Sequence, residues 1–389
     1  MTSSPFCASS SALGYLYQIR YGLMLLLRED NDDARLLIES LDDISIEADT
    51  TDVYQTKFHG DGAPNLTNRS PDLWKTIRVW SEQITQGVLD PSKTFFNLIT
   101  TATLSEGTIP FKLKYETTTD RDVQAIVTEL LGIANSKNPS AVNAAGYLAF
   151  KSLSDDRREA LVKNISIVDA SPGINSARDN SIRELRNSTT KKEQMYERLE
   201  GWFVGEVIRQ LQGERPSIER HELVQKITVL NDSFALDNLP ADFMRSISGD
   251  ESRLAPYRGY LFVRQLEAVG LNNDAINHAI SDYHRAFEQT SKWEREGFIL
   301  PTDRIEYHDK LADDWSKKFS VFCYAEDGDS ADALKNKGKR FYEDFYVRTY
   351  PSIHIKARFS ESWVITGSCQ MLSNQKLIGW HPKYTEIEH

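Results

Sequence analysis

A β-rich interruption inside a mainly helical pattern constrains this chain most. Leu13, Leu16, Ile19, Leu23, Leu26 and Leu27 recur at steps of three and four, which predicts an amphipathic first helix. After the acidic break REDNDDAR come LLIESLDDISIEA and DVYQTKFHG, two runs rich in β-branched residues and parted by DTTD. They read as a hairpin. Ser70-Pro71-Asp72 then supplies a cap and a proline at the first helical position, and Leu73, Ile77, Trp80 and Ile84 mark the helix that follows. KTFFNLITTAT, 93–103, reads as a buried strand. Helix, hairpin, helix, strand is an α/β order and not an all-α one.

From about residue 120 to 212 the pattern is mostly helical and includes the amphipathic KKEQMYERLEGWFVGEVIRQLQG. GERPSIER, 213–220, carries the Gly, Pro and charge of a domain boundary. A second helical region runs to about Trp315, and a final α/β stretch closes the chain. The expected organisation is an α/β (α+β) domain over 1–212, its core at about 10–120 with a helical extension to 212. A mostly helical domain follows over 221–389, with a small terminal α/β part. A length of 389 residues suits two such domains.

An apolar fraction of 40% and a charged fraction of 26% exclude a disordered or fibrous chain. The longest apolar run, Gly22 to Leu27, falls far short of the roughly 20 residues needed to span a bilayer. No basic and apolar leader opens the sequence, so no membrane partner and a cytoplasmic location are expected. Cys7, Cys323 and Cys369 are scattered, which implies neither a disulfide framework nor a structural zinc site. The net charge of −11 means that contact with nucleic acid must come from a local basic surface, from assembly or from a partner.

Glu39, Asp43, Gln55 and Lys57 all have odd numbers, and side chains in a strand repeat every two residues. A turn centred on Thr50 sets Ser45 opposite Gln55 and Asp43 opposite Lys57, so that the four crowd one face. Two carboxylates, a carboxamide oxygen and nearby carbonyls are hard ligands suited to Mg²⁺ or Mn²⁺, and a lysine beside them can stabilise developing phosphate charge. That is equipment for phosphodiester hydrolysis. Asp42 lies off this face unless a bulge shifts the register by one. The plainer reading is a solvated lysine, surface acids near a turn, and an Asp–Lys cross-strand pair gaining roughly 0.2 to 1 kcal/mol. Gln18 lies off the apolar stripe of the first helix, near Tyr15 and Gly22, where a glutamine is ordinarily just exposed.

GYLYQIRYGLMLLL, followed by IESLDDISIE and VYQTKFHG, resembles the N-terminal signature of restriction-endonuclease-like nucleases of the PD-(D/E)xK class, in the branch found as effectors of bacterial antiviral systems. The resemblance implies a helix before a hairpin that bears an acid and a (D/E/Q)xK motif. Here that motif is Gln55-Thr56-Lys57, QxK as in the Mrr-like subgroup. The preceding acid maps to Asp43, with Glu39 a second candidate on the metal side, and Gln18 matches a first-helix glutamine of the same families. The implied metal set is Asp43, Glu39 and Gln55. Glutamine in place of an acid leaves it one charge weaker.

In the last third, YLFVRQLEAVG, AINHAISDYHRAFEQTSKWEREG, EYHDKLADDW and ITGSCQMLSNQKLIGWHPKY resemble the C-terminal domain shared by effectors of ABC three-component systems, the Lamassu group. This implies binding to an SMC-like ABC ATPase and a small third subunit. IGWHPKY by itself reads as an apolar strand end with a core or docking role. The chain has no GxxxxGK[ST], so it is not itself the ATPase, and Lys335 to Arg340 reads as a basic loop. The function expected is a metal-dependent endonuclease that cuts double-stranded DNA with little sequence preference and acts as a homo-oligomer, dimer or tetramer. A binding subunit with a decayed nuclease fold is the alternative. A hydrolase of another kind has no GxSxG, HExxH or Cys–His pairing to support it.

Overall fold

A computed structural model describes residues 9–41, 43–57, 65–171 and 173–387. It divides into two compact units, Met1–Val229 and Leu230–His389. The first opens with α1 (Ser9–Arg28), then β1 (Arg35–Ile38), β2 (Ile44–Glu47), β3 (Thr51–Lys57), β4 (Asn65–Leu66), α2 (Pro71–Thr85), β5 (Thr94–Thr100) and β6 (Thr103–Leu104). It continues with α3 (Ile109–Lys112), α4 (Val123–Ala134), α5 (Ala144–Ser152), α6 (Asp155–Asn164), β7 (Ile165–Val168), α7 (Ile174–Glu184), α8 (Lys192–Leu211), β8 (Ile218–Glu219) and α9 (Arg220–Ser233). The unit boundary falls within α9.

Six strands form one mixed sheet in the order β7-β5-β3-β2-β1-β8, and β4 pairs with β6 apart from it. β1, β2 and β3 are an antiparallel meander, whereas β3, β5 and β7 run parallel. The run LLIESLDDISIEA is therefore two strands and not one. Its ESLDD centre holds turn-forming Ser and Asp residues, and Glu39 there takes a left-handed φ of 54° while its N–H donates to the Asp43 carbonyl at 3.0 Å.

One face of the sheet packs under α2, α4, α5 and α6. Leu73, Trp74, Ile77, Trp80 and Ile84 of α2 meet Val53, Phe96, Leu98, Ile165 and Ile167, the alternate residues of three strands. Ser70 and Pro71 open α2 as the sequence predicts, although the Ser70 hydroxyl accepts from Thr67 N–H and not from the helix. A Cβ at Gly146 would stand 2.5 Å from the Trp74 carbonyl, so only glycine lets α5 lie this close to α2. The other face carries α1, whose Tyr21 ring meets that of Tyr54 with centroids 6.5 Å apart. Leu23 and Leu26 of the expected stripe of α1 are buried, whereas Leu13 and Leu16 are exposed, and Tyr17, Tyr21 and Met24 join the packing.

Residues 120–212 are part of this unit and not an appendage, because β7 extends the sheet and α7 and α8 pack with α1. The boundary expected at 213–220 also lies later. Ile218 pairs with Leu36 at the sheet edge, Arg220 N–H donates to the Ala34 carbonyl at 2.9 Å, and Arg215 bridges Glu206 and Glu222. The Gly, Pro and charge of GERPSIER mark a turn into an edge strand.

The second unit holds α10 (Glu251–Leu254), α11 (Leu261–Ala268), α12 (Asn273–Arg295), α13 (Pro301–Phe322), α14 (Ala331–Tyr342), a π-helical turn at Glu343–Arg348, and α15 (Ser362–Asn374). No strand occurs here among the described residues, so the small terminal α/β part is helical. α15 is buried from Trp363 to Ser373 and packs along α12. The residues of IGWHPKY form no strand end: Trp380 N–H donates to Gln265 Oε1 at 3.2 Å and its indole N–H to Gln370 Oε1 at 3.1 Å. Trp315 donates to the Gly379 carbonyl at 3.0 Å. Lys335 to Arg340, read as a loop, is helical, and Lys337 is tied to Glu326 and Asp329 at 2.8 Å each. Among the described residues no helix is long and apolar enough to cross a membrane.

Candidate active site

Of the residues singled out by the sequence, Gln18, Glu39, Asp43 and Lys57 come together near the C-terminal end of β3. The observed register sets Ser45 opposite Val53 and Glu47 opposite Thr51, so the turn centres on Asp49 and not Thr50. A shift of the centre by one changes each partner by two, and parity survives. Extended by one step, the register would bring Asp43 to Gln55 and not to Lys57. β2, however, begins only at Ile44.

Asp43 uses its freedom from the ladder to reach Thr56. Its Oδ2 accepts from the Thr56 N–H at 2.7 Å and from the Thr56 hydroxyl at 2.8 Å. The carboxylate thus takes up a strand N–H where β2 no longer supplies a carbonyl. Two bonds to one oxygen fix its orientation, the service that outer groups render to a ligating carboxylate. Thr56 is the site residue that the sequence reading passed over. The middle position of a QxK motif gives no chemical signal, and only the turn geometry reveals its part.

Glu39, in the turn after β1, is in electrostatic reach of Asp43 and Lys57, and the Gln18 side chain is its hydrogen-bond partner. Although its side chain is largely exposed, the protein around its carboxyl raises the pKa above the ordinary value. Burial is the larger cause and the charge of Asp43 the second, with Gln18 and Lys57 partly offsetting them. Gln18 is only 9% exposed and its Oε1 has no partner, so this glutamine is not the ordinary exposed one. A left-handed non-glycine residue, an orphaned buried oxygen and a destabilised carboxylate within one cluster are strain of the kind that collects at functional sites.

Gln55 is buried on the Val53 side of β3, and Lys57, half-buried, follows it at the strand end beside Thr100. Asp42 lies outside the described residues. Among the described residues no group of three or more His, Cys, Asp or Glu side chains is placed to hold a metal. The pair Glu39 and Asp43 nevertheless fits a hard divalent cation. Its donors are carboxylate oxygens, the Gln18 carboxamide oxygen stands unpartnered beside them, and a cation would offset the burial, and secondarily the charge of Asp43, that raise Glu39. Asp43 and Glu39 are the residues that would hold it.

Residues 262–388, which run from α11 through α15 to the closing turn around Trp380, match the family model of C-terminal domain 7 of the ABC-three component (ABC-3C) systems. The match supports membership of an ABC-3C system. The most deeply packed part of this CTD7-like region is the segment the sequence singled out, with Gln265, Gln370 and Trp380 joined by hydrogen bonds in its core. Membership of such a system implies partner subunits. No curated protein matches the chain. A solved structure, that of a Moraxella osloensis Cap4 SAVED/CARF-domain containing receptor, aligns over 71% of this chain and 68% of its own at 14% identity. Its TM-score of 0.34 is too low to carry an argument.

Proposed function

We propose that the chain is the nuclease effector of an ABC-3C defence system, of the Lamassu type, cutting double-stranded DNA by metal-dependent phosphodiester hydrolysis. The observation that carries this reading is the attachment of Asp43 to Thr56 inside Gln55-Thr56-Lys57, which joins the acid of the turn to the lysine strand in one unit. A bound Mg²⁺ or Mn²⁺ would polarise the phosphate and lower the pKa of an attacking water. Thr56 orients Asp43, Gln18 positions Glu39, and the Lys57 ammonium stands where it can stabilise negative charge on the phosphate.

The active species in this reading is a homo-oligomer. A single site hydrolyses one strand, so two sites related by a twofold axis are the simplest means of cutting a duplex, and assembly gathers basic segments that a protomer of charge −11 holds apart. An SMC-like ATPase and a small third subunit would hold the protomers separate until release. Light scattering on the free protein with cleavage followed through a dilution series tests this. Specific activity that falls on dilution supports it, and a strictly monomeric protein with constant specific activity overturns it.

A non-catalytic scaffold with a degenerate nuclease fold is the second reading. It is favoured by the gathering of only two carboxylates at the site among the described residues. Cleavage of plasmid by the wild type in Mg²⁺ or Mn²⁺, lost in Lys57→Ala, separates the two.

A further inference from the structure

At the opposite end of β3 from Lys57, on the α1 side of the sheet, a cavity of about 300 Å³ is lined by Asp52, Phe95, Asn97, Tyr115, Lys163 and Ser166 among others. The register explains why these meet. Asn97 pairs with both Tyr54 and Ser166 across three parallel strands, and Asp52 pairs with Phe95 two residues earlier. Paired residues of parallel strands share a face, so all four strand residues point away from the core that Val53, Phe96 and Ile165 fill.

Three features mark a built recess. Ser166 is 5% exposed and its hydroxyl has no partner, although Ile165 and Ile167 on either side show what this strand places in a sealed interior. The Asp52 carboxyl is pushed above its ordinary pKa by burial, and Asn97 meets it only at 3.5 Å. Two large rings remain in solvent, Phe95 at 44% and Tyr115 at 66% exposure, although β5 is otherwise well buried. Lys163 puts an exposed cation on the rim.

From this geometry we propose that the cavity binds a guanine base carrying a 5′-phosphate. An ionised carboxylate only accepts, and guanine is the nucleobase with two adjacent donors, N1–H and N2–H₂, to meet its two oxygens. The neighbouring Asn97 amide can donate to O6. Adenine would turn a lone pair toward Asp52. Phe95 and Tyr115 offer stacking faces, and Lys163 an ion pair to phosphate. A cationic ligand such as an arginine side chain would also satisfy Asp52, but Lys163 opposes it. This inference is independent of the nuclease reading.

The test is calorimetric titration of the full chain with GMP, AMP, XMP, arginine amide, and two short thymidine oligonucleotides, one containing a single dG. GMP or the dG oligonucleotide is expected to bind at least ~10-fold more tightly than its adenine or all-thymine counterpart, a difference of about 1.4 kcal/mol. Which of the two binds more tightly identifies the source of the base. Asp52→Asn should reverse the preference from GMP to XMP, because an amide can donate to the 2-oxo group of xanthine and accept from N1–H. Lys163→Ala should weaken GMP more than guanosine. Equal affinity for GMP and AMP, no binding of either guanine ligand, or binding of arginine amide in their place would overturn the proposal. The wild-type comparison decides even where a variant fails to fold.

Discussion

The Asp43 carboxylate holds both the backbone N–H and the hydroxyl of Thr56, at 2.7 and 2.8 Å, and so fastens the turn after β1 to the strand that carries Gln55 and Lys57. One side chain thereby has two duties that substitution can separate. Asp43→Asn keeps an oxygen for the Thr56 N–H and should leave stability close to wild type while abolishing cleavage. Asp43→Ala should lose cleavage and also about 1–3 kcal/mol of stability, because the Thr56 N–H is left without a partner. Urea denaturation beside a plasmid assay reads both. Equal stabilities for the two variants would remove Asp43 from its structural part.

Glu39 gives a pH dependence whose sign is fixed. Its carboxyl is raised above the ordinary value, so folding favours the neutral form. That contribution is complete below the ordinary carboxylate range and is lost as pH rises through the raised value. Without divalent ions, Glu39→Gln is therefore expected to melt above the wild type at about pH 7 and level with it at about pH 4. Mg²⁺ should close the gap at neutral pH by stabilising the wild type alone. A Glu39→Gln protein less stable than wild type at neutral pH contradicts the assignment. Glu39→Gly should gain about 1 kcal/mol by relieving the left-handed backbone.

β8 moves the expected division of the chain. A fragment ending at residue 212 lacks Arg215, Ile218 and Arg220, which pair with Glu206, Leu36 and Ala34, whereas one ending at 235 keeps them. The longer fragment should fold with a cooperative melt and the shorter should be markedly less stable. Circular dichroism of the two checks this. Equal melts would show that β8 adds nothing.

Trp380 binds the last turn of the second unit to its centre through both of its nitrogens. Gln265→Leu leaves the Trp380 N–H unpaired, at about 1–3 kcal/mol, while the Ser373 carbonyl keeps the Lys376 N–H, and Trp380→Ala should cost about 3–5 kcal/mol by the cavity it opens. Chemical denaturation followed by tryptophan fluorescence or circular dichroism measures both.

The order of elements in the first half was legible because periodicity and capping report local structure: Ser70-Pro71 and the Leu73–Ile84 spacing define α2 within its observed bounds. The split of LLIESLDDISIEA was less legible, since its centre combines turn formers with Leu41, which packs near the core. The parity of Asp43, Gln55 and Lys57 was readable from numbering alone, but the register was not. It depends on the turn at Asp49, and the reach of Asp43 to Thr56 depends on β2 beginning only at Ile44. Leu13 and Leu16 show the limit of periodicity, which ranks faces of a helix but does not say where its partners end. Terminal strands were read into a region whose apolar runs are helical, because short apolar runs do not distinguish a strand from a buried helix.

The most direct measurement of the central claim is cleavage of supercoiled plasmid in Mg²⁺ or Mn²⁺ by the full chain, free and assembled with its partner subunits, beside Lys57→Ala. The account predicts nicking and linearisation by the wild type, and a loss of at least ~10²-fold in the variant with its fold and assembly intact. Cleavage by Lys57→Ala at the wild-type rate, or no cleavage by the wild type in either state, would contradict it.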